Sequence, residues 1–413
     1  MFLNRKIPSP CKSVVAKVDF ANKNNPNAIV EEICLNGVVK KGKLRSVKAL
    51  EVVNQLYNLY AAYPLEQGIL IFRNNSLSLF AGTMRFMGNL TFQEPHFKYV
   101  QRDKLLLVSD SIAGTYRCNG ISMLKHCNEY FTSMAFSNER LIGVRDGKLY
   151  VSERGNSAEW REHLQLPADI VAVEELGDDV IAVGAEIYKI QLSDSLENTK
   201  VSCLARNVGK VYANTVCMVG NNLYFLTNKG LYCLAQNKLS SVCRDIDFAE
   251  DNSKATAVCH KDEYWLYYTN AENQSLVVSM DSSGQYTFYD LPDVTQMAAN
   301  DGKIVILLKA SPHIFGNKPA NMFWKSKEYD FGDRFVKKHF RKLHVVTKNG
   351  VEVHLVTDTE RRIIHVPAGA HRIRLSGTFG AVSVEIHSTE EACVEKLAIE
   401  VQEYGREVTH GNI

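Results

Sequence analysis

The sequence predicts an all-β chain built from repeats, and three observations carry that prediction. Short apolar strands begin just after polar turns at Ile69, Leu105, Leu141, Val180, Leu223, Tyr264 and Ile304. The intervals between these onsets are 36, 36, 39, 43, 41 and 40 residues. Each onset lies in a strand–turn–strand pattern enriched in β-branched and aromatic residues. A period of this size belongs to four-stranded β-propeller blades, which take roughly 40–50 residues each. The expected architecture is a β-propeller of six or seven blades followed by a small C-terminal β-sandwich. Evenly spaced strands also suit one or two β-sandwiches, but so many onsets with similar flanking turns favour the propeller.

Taken in order, residues 1–64 form an N-terminal segment. Its stretch 13–40 is expected to supply strands that close the ring. Between Arg45 and Ala62, the residues Leu50, Val53, Tyr57 and Tyr60 fit one helical face, and Val52-Val53 with the tyrosines fit a strand equally well. Pro64 is expected to end that segment, because proline removes a backbone donor.

Residues 65–326 are the expected propeller. Its clearest units open on strands of small apolar residues: Met134-Ala135-Phe136, Val171-Ala172-Val173, Val216-Cys217-Met218, Ala257-Val258-Cys259 and Met297-Ala298-Ala299. Small side chains suit inner strands, where blades converge. The turns Gly177-Asp178-Asp179, Gly220-Asn221-Asn222 and Asn300-Asp301-Gly302 follow, in residue types that tolerate positive φ. A third strand then carries an apolar–tyrosine pair, as in Leu149-Tyr150, Ile187-Tyr188 and Leu231-Tyr232.

Past residue 326 the period stops. New strands are expected at 343–346, 351–356, 363–366, 372–375, 382–386 and 397–401. Several alternate polar and apolar residues, as an antiparallel sheet with one wet face does. The turn Lys348-Asn349-Gly350 is expected to join the first two as a hairpin. Residues 327–413 are thus the expected C-terminal β-sandwich.

Bulk properties bound the function. The chain has 413 residues, 45% hydrophobic and 23% charged, with a net charge of +2. No global field calls for nucleic acid or a membrane, and no stretch approaches the roughly 20 apolar residues of a spanning helix. The first residues carry no apolar run, so no secretory signal is expected. The ten cysteines lack paired spacing and contain no C-x-x-C. They are expected to be reduced thiols in a protein made in a cytosol.

Motifs with a mechanism are missing: there is no G-x-x-x-x-G-K-(S/T), G-x-G-x-x-G, H-E-x-x-H or G-x-S-x-G. The twelve histidines are scattered. His354, His365 and His387 fall in or beside C-terminal strands and are expected to be solvated or hydrogen-bonded rather than ligands. No catalytic residue, cofactor or metal is expected. The nearest enzymatic reading is a glycosidase. The segment Ser279–Phe288 approaches the sialidase Asp-box, roughly S-x-D-x-G-x-x-W, and Ser152–Trp160 echoes it loosely. That box is a structural turn, and arginine does not recur in the repeats as a carboxylate-gripping cluster would require.

One charge run stands out. Arg334, Lys337, Lys338, Arg341, Lys342 and Lys348, with His339 and His344, occur without an intervening acid, and Phe335 and Phe340 interleave. The plain reading is an edge strand protected by charge. The sharper one is a strand facing an acidic partner or a phosphate backbone.

The stretch Met322–Asp333, followed by Val336–Leu343, resembles a passage of tailed-bacteriophage virion proteins. In those, a W-x-S-K-x-(F/Y)-D-(F/L)-G segment ends a propeller and a basic K-K-x-(F/L)-R-(K/R) strand opens a terminal β-domain. Leu149–Ser152 running to Trp160, and the ending Ile399–Gly405, are similar too. The resemblance implies a non-enzymatic virion protein: a subunit of a homo-oligomeric tail nozzle, hub or head-to-tail connector through which DNA passes. The implied partners are other copies in a ring, portal or adaptor proteins, and non-specific contact with packaged DNA, without a membrane. The implied location is the virion tail, after synthesis in the bacterial cytoplasm. The alternatives are a carbohydrate-binding or glycan-cleaving receptor-binding propeller and a cellular propeller scaffold.

Overall fold

The computed structural model describes residues 12–53, 56, 58–101 and 103–403, without the side chains of Lys12 and 161–163. The regular elements among the described residues are strands, apart from short 3-10 turns at Leu196–Asn198 and Ala213–Thr215, and the chain divides into two compact units. One comprises Glu51–Tyr286 and Asp290–Ile314. The other comprises Met1–Leu50, Thr287–Tyr289 and Phe315–Ile413.

The first unit is the β-propeller. Its second strands are Gly68–Arg73, Leu105–Asp110, Arg140–Arg145, Asp179–Gly184, Asn222–Thr227, Glu263–Thr269 and Lys303–Leu308. Each expected onset falls on the first or second residue of one of these. Six four-stranded sheets stand apart as blades. A representative one runs Ser133–Ser137, Arg140–Arg145, Lys148–Glu153 and Asn156–Leu164, each strand antiparallel to the next. A further antiparallel set, Thr256–His260, Glu263–Thr269 and Ser275–Met280, lies in the same unit.

Hairpin turns fix the register. Asp301 and Gly302 both take positive φ (48° and 69°), the backbone twist a two-residue hairpin loop needs. Asn138-Glu139 and Lys261-Asp262 take the same conformation without glycine, so local spelling marks these turns less clearly. Between neighbouring blades the inner and second strands interlock. Ala135, Ile142 and Val144 of one blade pack with Val173, Val180 and Ala182 of the next. Each fully buried aliphatic side chain of this kind contributes about 1.5–3 kcal/mol. The fit is tight: a Cβ on Gly143 would sit 2.2 Å from the Phe131 ring.

Lys48–Val52 closes the ring as the fourth strand of the last blade, in place of 13–40. The Val53 and Leu59 N–H groups donate to the Pro312 and Ala310 carbonyls at 2.9 and 3.0 Å. The Ala62 N–H donates to Gln296 Oε1 at 2.8 Å. No helix forms over 45–62 among the described residues; strands Lys43–Ser46, Lys48–Val52 and Ala61–Leu65 occupy it. Pro64 does not end the segment but sits inside the buried strand Ala61–Leu65. Ala62 and Pro64 turn the same backbone edge away from the paired strand Gly68–Arg73. The donor that proline lacks is therefore one the ladder does not use.

His260, on the inner strand Thr256–His260, carries an acid-sensitivity prediction. Burial, and then the neighbouring Lys261 charge, push its pKa down to about 4. Its Nδ1 has no hydrogen-bond partner among the described residues. In the unfolded chain a histidine titrates near 6.5. The folded pKa is the lower one, so the stabilising contribution is complete above the unfolded value and lost as pH falls toward 4. His260→Phe should flatten the melting temperature across this window, read by thermal melts at stepped pH. An equal acid slope in both proteins would contradict it.

The second unit has two sheets around one core. In one, Lys12–Asp19 pairs with Cys393–Glu403, then Lys338–Thr347 and Gly369–Arg374. In the other, Ile29–Leu35 pairs with Met322–Ser326, then Val382–Ser388, Val351–Thr357 and Arg361–Val366. Ala16, Ile29, Cys34 and Leu44 enter the same core as Trp324, Phe340, Val353 and Ile399. The β-sandwich expected over 327–413 is therefore not shown as a domain of its own, because N-terminal strands belong to its sheets. Nor is Lys348-Asn349-Gly350 a hairpin. The strands on either side of it do not pair with each other, and neither Asn349 nor Gly350 has a positive φ. The Lys348 N–H donates to the Cys393 carbonyl instead, at 3.0 Å.

Candidate functional site

The richest side-chain cluster lies on the second unit. Val351–Thr357 sends Val351, Val353 and Leu355 into the core, so Glu352 and His354 face the other way. Val382–Ser388 likewise buries Val382, Val384 and Ile386 and turns Glu385 and His387 outward. The antiparallel register sets His354 opposite Glu385 and His387 opposite Glu352. On the other flank Glu352 faces His365. Acid and imidazole alternate across the face like a checkerboard.

The contacts follow from that register. Glu385 Oε2 lies 3.3 Å from His354 Nδ1 and 3.2 Å from His387 Nε2. The Arg361 guanidinium places Nη2 2.7 Å from Glu385 Oε2 and 2.6 Å from His354 Nδ1. A guanidinium only donates, so His354 Nδ1 accepts, and the ring proton sits on Nε2. That Nε2–H donates to Glu352 Oε1. The other Glu352 oxygen lies 3.1 Å from His365 Nδ1. The hydrogen bond from His354 holds the Glu352 carboxyl below the usual range, and the imidazoles around it add to that. The His354 and His387 rings stack at 4.2 Å, and Phe323 lies 4.9 Å from His387. His354 and Glu385 are buried, whereas Arg361 is 52% exposed.

Sequence reasoning assigned no function to these histidines. A usable signal exists: Glu352-Val353-His354 and Glu385-Ile386-His387 are two E-x-H triplets on strands. Each triplet puts its acid and its histidine on one face. Pairing two such strands antiparallel must bring histidine against acid.

The six basic residues of the charge run do not act as one surface. Lys338 is fully buried, and its Nζ donates to the carbonyls of Asp333 and Gly380. Burial lowers its pKa, and it cannot face a partner. Arg334 pairs with Glu328 at 3.1 Å, and Lys342 lies 3.7 Å from Glu400 on the adjacent strand. Lys337, Arg341 and Lys348 are exposed and have no carboxylate within 4.0 Å among the described residues. Phe335 beside them is 91% exposed. Of the acids at the chain end, Glu400 and Glu395 are matched within the chain, to Lys342 and Lys43. Glu407 lies outside the described residues.

The Asp-box-like segment is a turn. Asp281 Oδ1 accepts from the Ser283 and Gln285 N–H groups at 2.9 and 3.0 Å, and Gly284 has a φ of 80°. Ser152 is similarly consumed, its Oγ accepting the Leu141 N–H at 2.8 Å.

No protein-family model matches the chain, and no curated protein matches it. Solved structures do. The extracellular domain of BT4673, a one-component system of B. thetaiotaomicron, aligns with a TM-score of 0.50 at 11% identity, over 92% of this chain and 64% of that one. PorZ, a surface component of the type-IX secretion system of Porphyromonas gingivalis, gives 0.45 at 10% identity over 77% of this chain and 46% of its own. The C-terminal WD40 domain of Sif2 gives 0.43 at 13% identity, over 66% of this chain and 99% of that one. The chain spans less than two thirds of the length of the first two. At such identity the likeness speaks to fold alone, and that fold is an all-β propeller whose six separate four-stranded blades have distant structural neighbours.

Proposed function

We propose that the chain is a non-enzymatic structural protein of a bacteriophage virion, a subunit of a homo-oligomeric tail assembly through which DNA passes. The observation that supports this reading is the role of the phage-like passage 322–343. Its signature residues are spent on architecture. Trp324 and Ser326 are fully buried, and Ser326 Oγ accepts the Val384 N–H at 2.8 Å. Tyr329, Phe331, Phe379 and Phe340 form a continuous aromatic series at 5.0, 6.0 and 4.1 Å. A motif kept for packing fits a scaffold rather than a reaction centre. The buried hydroxyls of the propeller point the same way: Ser109, Ser152 and Thr215 bond backbone groups.

Because Lys342 and Glu400 are matched within the chain, contacts between copies would fall to Phe335, Lys337 and Arg341. An apolar ring flanked by cations suits an acidic, partly apolar patch on a neighbour, and the charges would steer encounter more than add affinity. The test is an electron-microscopy map of the virion. The subunit is expected in a closed ring with residues 327–403 at its contacts. Its absence from the particle, or its presence as a peripheral spike with those residues in solvent, would overturn the proposal.

A further inference from the structure

Four-coordinate zinc binds nitrogen and oxygen ligands at about 2.0–2.2 Å, which sets neighbouring ligand atoms roughly 3.3–3.5 Å apart. On the second unit, Glu385 Oε2 stands 3.3 Å from His354 Nδ1 and 3.2 Å from His387 Nε2. The three atoms lie within 4.8 Å of one another. They thus span three corners of a tetrahedron with little adjustment.

Three further features distinguish this cluster from a surface ion network. First, two of its three atoms already meet on a cation. Arg361 Nη2 sits 2.6 Å from His354 Nδ1 and 2.7 Å from Glu385 Oε2. A group that only donates selects lone pairs, and lone pairs are what a metal needs. Second, the remaining ring nitrogen of His354 donates to the Glu352 carboxylate. That arrangement fixes ring and tautomer, as carboxylates behind metal-bound histidines do. Third, the frame is rigid. His354 and His387 are held by adjacent strands and by ring stacking at 4.2 Å.

We infer that His354 Nδ1, Glu385 Oε2 and His387 Nε2 form a binding site for a divalent transition metal of the zinc class, with Glu352 orienting His354. Arg361 competes for the same position. Its side chain is 52% exposed and can swing into solvent when a metal displaces it. Two imidazoles and one carboxylate leave a fourth position for water. Imidazole donors select zinc, cobalt or nickel over magnesium or calcium. The inference is independent of any role in a virion.

The experiment is a cobalt titration of the full chain after chelator treatment. Cobalt reports four-coordinate binding through its visible absorption, and zinc should displace it. One equivalent is expected to bind. His387→Ala and Glu385→Gln should abolish the visible band while keeping the metal-free melting temperature and circular dichroism. His387 is 34% exposed, so its variant leaves little cavity. Arg361→Ala should tighten binding by about tenfold, the equivalent of roughly 1.4 kcal/mol. No stoichiometric uptake by the wild-type chain would overturn the inference. So would a thiolate-to-cobalt band that persists in His387→Ala, since the metal would then sit on cysteines. Weaker binding by Arg361→Ala would overturn the assignment of that arginine as competitor.

Discussion

Trp324→Ala is expected to cost about 3–5 kcal/mol, at the upper end of core truncations. The side chain is fully buried, and its Nε1–H donates to Glu31 Oε2 at 3.1 Å. Phe20 meets it edge-on at 5.2 Å. The strand partners Cys34 and Ile386 flank it in the two ladders that run through Met322–Ser326. Truncation opens a cavity at this junction. It also takes a donor from Glu31, which is 6% exposed and would keep, among the described residues, Lys23 at 2.9 Å. A buried carboxylate with one partner fewer adds to the cavity cost. Trp324→Phe should retain most of the packing and lose mainly the hydrogen bond, about 1–2 kcal/mol. Denaturant titrations of the full chain should rank the proteins wild type, Phe, Ala. Trp160 and Trp265, both in the propeller, report separately on that unit by fluorescence. An alanine variant with an unchanged midpoint would mean that this core does not depend on its largest side chain.

The propeller was legible in the sequence because its order is local. Each blade pairs strands that follow one another, so a strand onset and the turn before it suffice to place Leu223 or Ile304. The second unit was less legible because its pairings are distant. Val14 lies opposite Val401 and Cys34 opposite Trp324, and nothing near residue 14 announces a partner near residue 401. The same distance made Lys348-Asn349-Gly350 look like a hairpin, although the strands that flank it do not pair with each other. Pro64 misled for a different reason. Proline is excluded from a ladder only where its nitrogen faces a partner, and on an inner strand one edge has none. The charge run misled through burial: Lys338 carries a charge in the sequence but spends it on two backbone carbonyls. The His354–Glu385–His387 cluster was written in two E-x-H triplets, but their meaning depends on the strands pairing in one register. A shift of one residue would have sent each triplet to the opposite face.

Lys98→Met is expected to destabilise the propeller by about 2–4 kcal/mol, the range for stripping one partner from a buried ion pair trimmed by residual solvent contact. Lys98 lies on the inner strand His96–Val100, and its Nζ is 2.9 Å from Glu174 Oε2 and 3.4 Å from Glu175 Oε1. Both acids stand on Ile170–Leu176, the inner strand two blades along. Burial opposes the lysine charge, but the two carboxylates outweigh it and hold its pKa above the usual lysine range. The folded pKa is thus the higher one. Its contribution is complete below the unfolded lysine value of about 10.4 and is lost only as pH rises through the folded value. At neutral pH the wild-type protein keeps all of it. The methionine variant instead leaves two partly buried carboxylates without the cation they share. Glu175 retains the Phe136 N–H at 2.5 Å, whereas Glu174 loses its cation outright. Adding Glu174→Gln to Lys98→Met should recover part of the loss at pH 7, and a double-mutant cycle isolates the coupling. Thermal melts of Lys98→Met, Glu174→Gln, the double variant and wild type at pH 7 decide the matter. A double variant no better than Lys98→Met alone would show that methionine fails by shape and not by the charge it removes.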